Sequence, residues 1–215
     1  MESPVCGSLP PDLKLIETLR LLPSGPLRGA RHLSRMARSA AELGIAFDAG
    51  EAAQLLDAAR VSCALRARLT LDLHGRLDLT CAPLTPAPEI WRVAWASERV
   101  TAADRWRRVK STERGLYDRA RAALPEGCEE VLFLNEAGRL CEGSITSVFL
   151  ETGEGLLTPP VDDGALPGIL REELIARGIA RTRSLTPEDL SGRRLYVGNS
   201  LRGLRAARFE GAPDR

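Results

Sequence analysis

Hydrophobic and polar positions along the chain predict short elements of both kinds. Residues 13–22, LKLIETLRLL, read as a strand. Over Arg31–Leu43 the apolar residues Leu33, Met36, Ala37, Ala40 and Leu43 recur at helical spacing, and Gly44 follows as a stop. Asp48 has the side chain to cap a second helix running to Arg60. VSCALRARLTLD and RLDLTCAPL alternate on either side of His74–Gly75, the pattern of a β-hairpin. Trp91–Ala96 is a further strand. Residues 97–109 are polar and irregular, which places the domain boundary there: a small N-terminal lobe of 1–104 and a C-terminal lobe of 105–215.

In the second half, a helix is expected over about Thr112–Ala123. EEVLFLN (129–135) and GSITSVFLE (144–152) read as strands separated by the turn NEAGR. LPG (166–168) leads into a helix of Ile169–Arg177, SLTPEDL is a short capped helix, and RLYVGNS is a strand ending at a turn. The mixture predicts an α+β, two-lobed fold, and a cleft between lobes is a usual place for a small-molecule site.

Composition narrows the function more than the fold. The chain has 215 residues, 44% hydrophobic, and its 30 basic and 29 acidic residues nearly cancel to a net charge of +1. That balance implies no field for nucleic acid or an anionic membrane. No apolar run reaches membrane-spanning length and no signal peptide is visible, so the expectation is a cytoplasmic protein with a small-molecule substrate. The five cysteines show no CxxC spacing, Cys63 and Cys81 read as small core residues, and the two histidines offer no metal-ligand spacing, so no metal is expected. Only two residues, Lys14 and Lys110, are lysines. Any chemistry needing an amine must use one of them.

Lys110 ends the run RWRRVK, where Arg107 and Arg108 would lower an amine pKa if they point the same way. By local context alone it reads first as an exposed lysine in a basic linker. Glu142, in LCEGSITSVF, is a buried acid or a hairpin residue. LPGIL sets Pro and Gly ahead of a helix whose free amides suit a phosphate, and GNS (198–200) is a second turn with a hydroxyl.

The order of these segments carries more than any one of them. IETLR (16–20), RHLSRMARSA (31–40), VKSTERGLYD (109–118), CEGSITSVFL (141–150), LLTPPVDDGALPGILREEL (156–174) and GNSLRGL (198–204) together resemble the class IV aminotransferase family, the fold-type IV enzymes that use pyridoxal 5′-phosphate. The resemblance implies a small N-terminal α/β lobe and a larger C-terminal β-barrel-like lobe with flanking helices, and a homodimer. It also implies roles. Lys110 matches the Schiff-base lysine, Glu142 the acid at the pyridine nitrogen, and Arg35 the phosphate-holding arginine. Gly168, Ile169 and Leu170 match the phosphate-binding helix start, and Asn199 and Ser200 a second phosphate turn. Ser144 and Thr146 match the strand behind the cofactor ring. Three departures stand out. The tyrosine that reaches the cofactor's phenolic oxygen in aminotransferases follows the lysine more closely than Tyr117 does, so that role is not carried over. Position 170, often Thr, is Leu here. The extra N-terminal strand and loop of the usual members are also missing ahead of IETLR.

The IETLR start and the KSTERGLYD stretch lie closest to the 4-amino-4-deoxychorismate lyase-like branch, which implies release of 4-aminobenzoate and pyruvate. A branched-chain or D-amino-acid aminotransferase using the same lysine is the alternative, and a catalytically inactive relative that only binds is the third reading.

Overall fold

The computed structural model describes residues 9–209. The described chain falls into two compact units. One comprises the residues up to Thr85 together with Val109–Glu113, and the other Pro86–Arg108 and the residues from Arg114 onward. Cys6 and most of the Pro-containing lead-in lie outside the described residues.

The first unit is built on the antiparallel sheet β2-β1-β3-β4, comprising β1 (Lys14–Leu22), β2 (Gly25–Pro26), β3 (Leu65–Asp72) and β4 (Leu77–Pro83), with helices α1 (Gly29–Leu43) and α2 (Ala49–Ala58). The period of two along β1 sets Leu15, Leu19 and Leu21 on one buried face, and Glu17 shares it. The α1 stripe that buries is His32, Arg35, Met36, Ser39, Ala40 and Leu43, while Leu33 and Ala37 remain partly exposed. The apolar spacing therefore identifies the helix correctly but misplaces its buried face, because two charged-type side chains turn inward to meet Glu17. Gly44 ends α1 at φ 68°, a left-handed conformation that favours glycine. Asp48 caps α2 by accepting from the Gly50 and Glu51 amides at 2.8 and 3.0 Å. The hairpin turns at Gly75, φ 79°. Cys63 and Cys81 are exposed rather than core: Cys63 lies in the bend before β3, and Cys81 on β4, whose whole length is at most half-buried.

The second unit holds an eight-stranded sheet, which curls as a half-barrel, in the order β10-β9-β8-β11-β12-β5-β6-β7. Its strands are β5 (Ile90–Trp95), β6 (Glu130–Leu134), β7 (Leu140–Gly143), β8 (Ser147–Thr152), β9 (Gly155–Thr158), β10 (Ala180–Thr182), β11 (Leu195–Asn199) and β12 (Gly203–Phe209). Helices α3 (Gly115–Ala122) and α4 (Ile169–Ala176) accompany it. Its core includes Val93, Leu132, Leu140, Val148, Leu150 and Val197, each fully or almost fully buried. Burial of side chains of this kind contributes about 1.5–3 kcal/mol apiece.

The division differs from the expected boundary at residue 104, for two reasons. β5 pairs in parallel with both β12 and β6, so it belongs to the large sheet. Residues 109–113 return to the first unit, because β2 pairs only with Leu21 and Leu22 and the Lys14–Ile16 edge of β1 accepts them instead. The strand expected over 144–152 begins only at Ser147, as β8; residues 144–146 form a turn whose cause is a buried carboxylate described below, and Leu140–Gly143 ahead of it is a separate strand, β7. No helix among the described residues is long and apolar enough to cross a membrane.

Candidate active site

In the first unit, the chemistry gathers on β1. The Ile16 amide donates to the Lys110 carbonyl at 2.9 Å and the Thr112 amide to the Lys14 carbonyl at 2.9 Å, with Leu15 and Ser111 paired between them. Lys110 is thus held by backbone bonds at a sheet edge, not carried on a loose linker. The residue after Ile16 is Glu17, whose carboxylate takes a two-pronged bond from Arg35: Nε to Oε1 at 2.8 Å and Nη2 to Oε2 at 2.6 Å. His32 Nδ1 lies 2.6 Å from Oε2, with ring and carboxylate both 1% exposed. Burial pushes the Glu17 carboxyl up, but the Arg35 charge and the bonds from His32 and Arg35 outweigh it, and the group titrates below its ordinary value. The fork fixes the Arg35 guanidinium plane, which is what a phosphate-binding arginine requires.

In the second unit, Glu142 is buried at the end of β7, and both its oxygens are engaged. The Tyr117 hydroxyl donates to Oε1, and the Leu166 amide donates to Oε2 at 3.0 Å. Burial first, and the Glu142 charge second, push the Tyr117 phenol well above its ordinary value, while the Arg107 charge pulls the other way. The phenol therefore keeps its proton at neutral pH and acts as the donor.

The turn after Glu142 is organised by Glu130, a fully buried acid at the start of β6. Glu130 accepts from the Ser144 amide at 3.0 Å, the Ile145 amide at 3.1 Å, the Thr146 hydroxyl at 2.9 Å and the Ser144 hydroxyl. Four donors converging on one carboxylate bend the chain where sequence pattern reads as continuous strand. A Cβ at Gly143 would lie 2.7 Å from Glu130 Oε2, so only glycine fits there. Ser144 and Thr146, expected behind the cofactor ring, thus direct their hydroxyls to Glu130.

Three further segments join this cluster. α4 opens at Gly168 with no side-chain cap, leaving the first-turn amides of Ile169 and Leu170 as donors. A Cβ on Gly168 would sit 2.6 Å from Ser147 Oγ, and one on Gly198 would sit 2.8 Å from a Leu170 methyl. Asn199 donates to the Ile145 carbonyl at 3.1 Å and accepts from the Arg202 amide at 2.8 Å, which fixes the β11–β12 turn beside buried Ser200. Glu142, Ser144, Thr146, Gly168, Ile169, Leu170, Asn199 and Ser200 therefore lie in one connected region of the second unit, while Lys110 and Arg35 lie close along β1 in the first. This donor set fits pyridoxal phosphate: an anchored carboxylate for a ring nitrogen, and uncapped helix amides, with side chains excluded at Gly168 and Gly198, for a phosphate.

Sequence reasoning did not single out Glu17, His32 or Glu130. Glu17 left a signal, since it falls on the apolar phase of β1. Glu130 left a weaker one, an acid at the first position of the apolar run VLFL.

Comparison with known proteins agrees with the geometry. The family model described as "Amino-transferase class IV" matches residues 14–208. The chain is 31% identical over 169 residues to the "Probable branched-chain-amino-acid aminotransferase" of Thermotoga maritima; the match covers 74% of this chain and 61% of that protein's length. It superposes with a TM-score of 0.87 and 39% identity on the structure named "Putative amino-acid aminotransferase" from Mesorhizobium loti, covering 93% of this chain and all of the other. It superposes with a TM-score of 0.78 and 30% identity on one named "Putative 4-amino-4-deoxychorismate lyase", covering 95% and 90%. The family uses pyridoxal phosphate. By its matched length, its fold and the succession of its site segments, this chain belongs to the class IV aminotransferase family.

Proposed function

We propose that the protein is a pyridoxal-phosphate-dependent 4-amino-4-deoxychorismate lyase, releasing pyruvate and 4-aminobenzoate. The observation that carries this reading is the stretch KSTERGLYD, in which the tyrosine comes seven residues after the lysine and bonds Glu142. The likeness to the lyase structure supports it. When bound, pyridoxal phosphate supplies an electron sink for the carbon that bears the substrate amine. Lys110, one of two lysines in the chain, supplies the amine to which the cofactor attaches, held in place by its backbone bond to Ile16. Glu142 holds a protonated ring nitrogen. Arg35, its plane set by Glu17, and the amides of Ile169 and Leu170 would hold the phosphate, with the Asn199–Ser200 turn alongside; the Gly168 amide is spent on the Leu166 carbonyl at 2.8 Å, so Gly168 contributes by having no side chain. With the cofactor bound, the Lys110 amine would serve as the general base and acid that takes the proton from the substrate's amine-bearing carbon and returns one as pyruvate leaves.

The test is the product pair. Purified protein supplied with pyridoxal phosphate and aminodeoxychorismate releases pyruvate and 4-aminobenzoate without a 2-oxo acid. Lys110→Ala lowers the rate by about 10²–10⁴-fold and abolishes borohydride trapping of the cofactor. The second reading, an aminotransferase for branched-chain or D-amino acids, is favoured by the Thermotoga and Mesorhizobium likenesses. Amino transfer to 2-oxoglutarate with no pyruvate from aminodeoxychorismate would establish it instead, and absence of any cofactor uptake would leave a binding protein. The proposal includes a homodimer, which light scattering of the holoprotein measures directly.

A further inference from the structure

Of the 28 arginines, Arg35, Arg107 and Arg171 are almost completely buried among the described residues. Arg35 has Glu17. Arg171 donates from Nε and Nη2 to the Pro159 carbonyl, at 3.1 and 2.8 Å, which staples the loop before α4. Arg107 is different. It is 6% exposed, and its Nε and Nη1 make no hydrogen bond. Its nearest acid, Asp104, lies 3.4 Å from Nε, but that carboxylate is a third exposed and its other oxygen accepts from the Trp106 amide. What the Arg107 guanidinium does face, at 4.6 Å, is the ring of Tyr117. A desolvated cation against an aromatic face is attracted to the ring's electron density. It also draws electron density from the phenol and so strengthens the hydroxyl as a donor. That hydroxyl donates to Glu142 Oε1.

We propose that Arg107 and Tyr117 form a positioning relay that fixes the orientation of Glu142, the acid assigned above to a ring nitrogen. This rests on that assignment. Tyr117 on one oxygen and the Leu166 amide on the other define the carboxylate plane. The competing explanation is packing alone. Tyr117 also lies in a cluster with Val100, Val131 and Cys141, and meets Phe133 edge to face at 5.1 Å. Packing requires the ring and is indifferent to the hydroxyl; the relay requires the hydroxyl.

Tyr117→Phe separates the two, because the ring, its edge contact and the stacked guanidinium all persist. The wild-type chain, Tyr117→Phe, Arg107→Met and Glu142→Gln are each reconstituted with pyridoxal phosphate labelled with ¹⁵N in the ring. The ring-nitrogen chemical shift, the cofactor dissociation constant and the melting curve are recorded. The relay predicts that Tyr117→Phe moves the resonance toward the unprotonated nitrogen and weakens cofactor binding about 10-fold, with melting lowered by no more than the loss of one hydrogen bond. Arg107→Met moves the resonance less, in the same direction. A Tyr117→Phe resonance and affinity equal to wild type, while Glu142→Gln displaces the resonance, overturns the relay and leaves the Glu142 assignment standing. A resonance unmoved by Glu142→Gln overturns that assignment, and the relay with it. An unmoved resonance in Arg107→Met alone overturns the part given to Arg107.

Discussion

Glu17 in the first unit and Glu142 in the second are both buried carboxylates at strand positions next to a helix-borne partner, yet they are held by opposite means. Glu17 is gripped by a charged fork from Arg35 and by His32, at 2.6–2.8 Å, and its pKa falls despite burial. Glu142 takes a phenol on one oxygen and a backbone amide on the other, with the buried Arg171 guanidinium near enough to interact with its charge. A cationic clamp of this kind makes an acid part of the scaffold, and here it makes Arg35 rigid as well. A phenol and an amide aim a carboxylate through the directions of their hydrogen bonds. Glu130 shows a third arrangement: neutral amides and hydroxyls from one tight turn, with Arg121 at 3.7 Å, so that the acid shapes backbone. The identity of the donors, more than the depth of burial, separates the three.

The comparison breaks most readily at Glu17. Glu17→Gln keeps the shape but leaves the Arg35 charge buried without its counter-ion, and is expected to cost about 3–5 kcal/mol in urea unfolding. Tyr117→Phe removes one hydrogen bond to a carboxylate and should cost less, about 1.5–3 kcal/mol; a larger loss there than at Glu17 would reverse the contrast. The pH dependence follows from the sign of the Glu17 shift. A carboxylate depressed in the folded state contributes its stability in full above its unfolded value, near 4.5, and loses it as pH falls through the lower folded value. The stability gap between wild type and Glu17→Gln, measured by thermal melts from neutral pH downward, should therefore narrow only below that point. Glu130→Gln turns one acceptor oxygen into an amide donor facing donors, and about 1–3 kcal/mol of stability should be lost. Smallest is Asp48→Ala, which removes the cap of α2 far from both acids and should cost about 1 kcal/mol.

Much of the first unit was legible. Strict alternation gave β1 and the hairpin of β3 and β4, and helical spacing with Gly44 and Asp48 gave α1 and α2, because local periodicity and capping decide those elements. In the second unit β5, β6, β8, β11 and the helix announced by LPG were legible, while β7, β9 and the seven-residue β12 were not. Nor was the turn at 144–146, since the bend there is imposed by Glu130, fourteen residues before Ser144 in sequence. Three-residue β10 was not foreseen either; its pairing with β9 is a tertiary event. The candidate site was legible as a succession of segments, each ambiguous alone. What the segments did not contain was the set of supports: Glu17 under Arg35, Glu130 under the turn, Tyr117 and Leu166 on Glu142.

The sequence by itself determined the family, the two sheets' principal strands, and the fact that only Lys14 or Lys110 has a side-chain amine to offer. These depend on residue type and local spacing, which a linear chain displays. The tertiary structure alone decided that β5 joins the large sheet, that Lys110 lies on the edge of β1, and that His32 and Arg35 turn inward while Leu33 does not. It also decided which donor each buried acid receives. Those outcomes depend on which distant groups come within about 3 Å of one another, and hydrogen bonding in a desolvated interior enforces that distance.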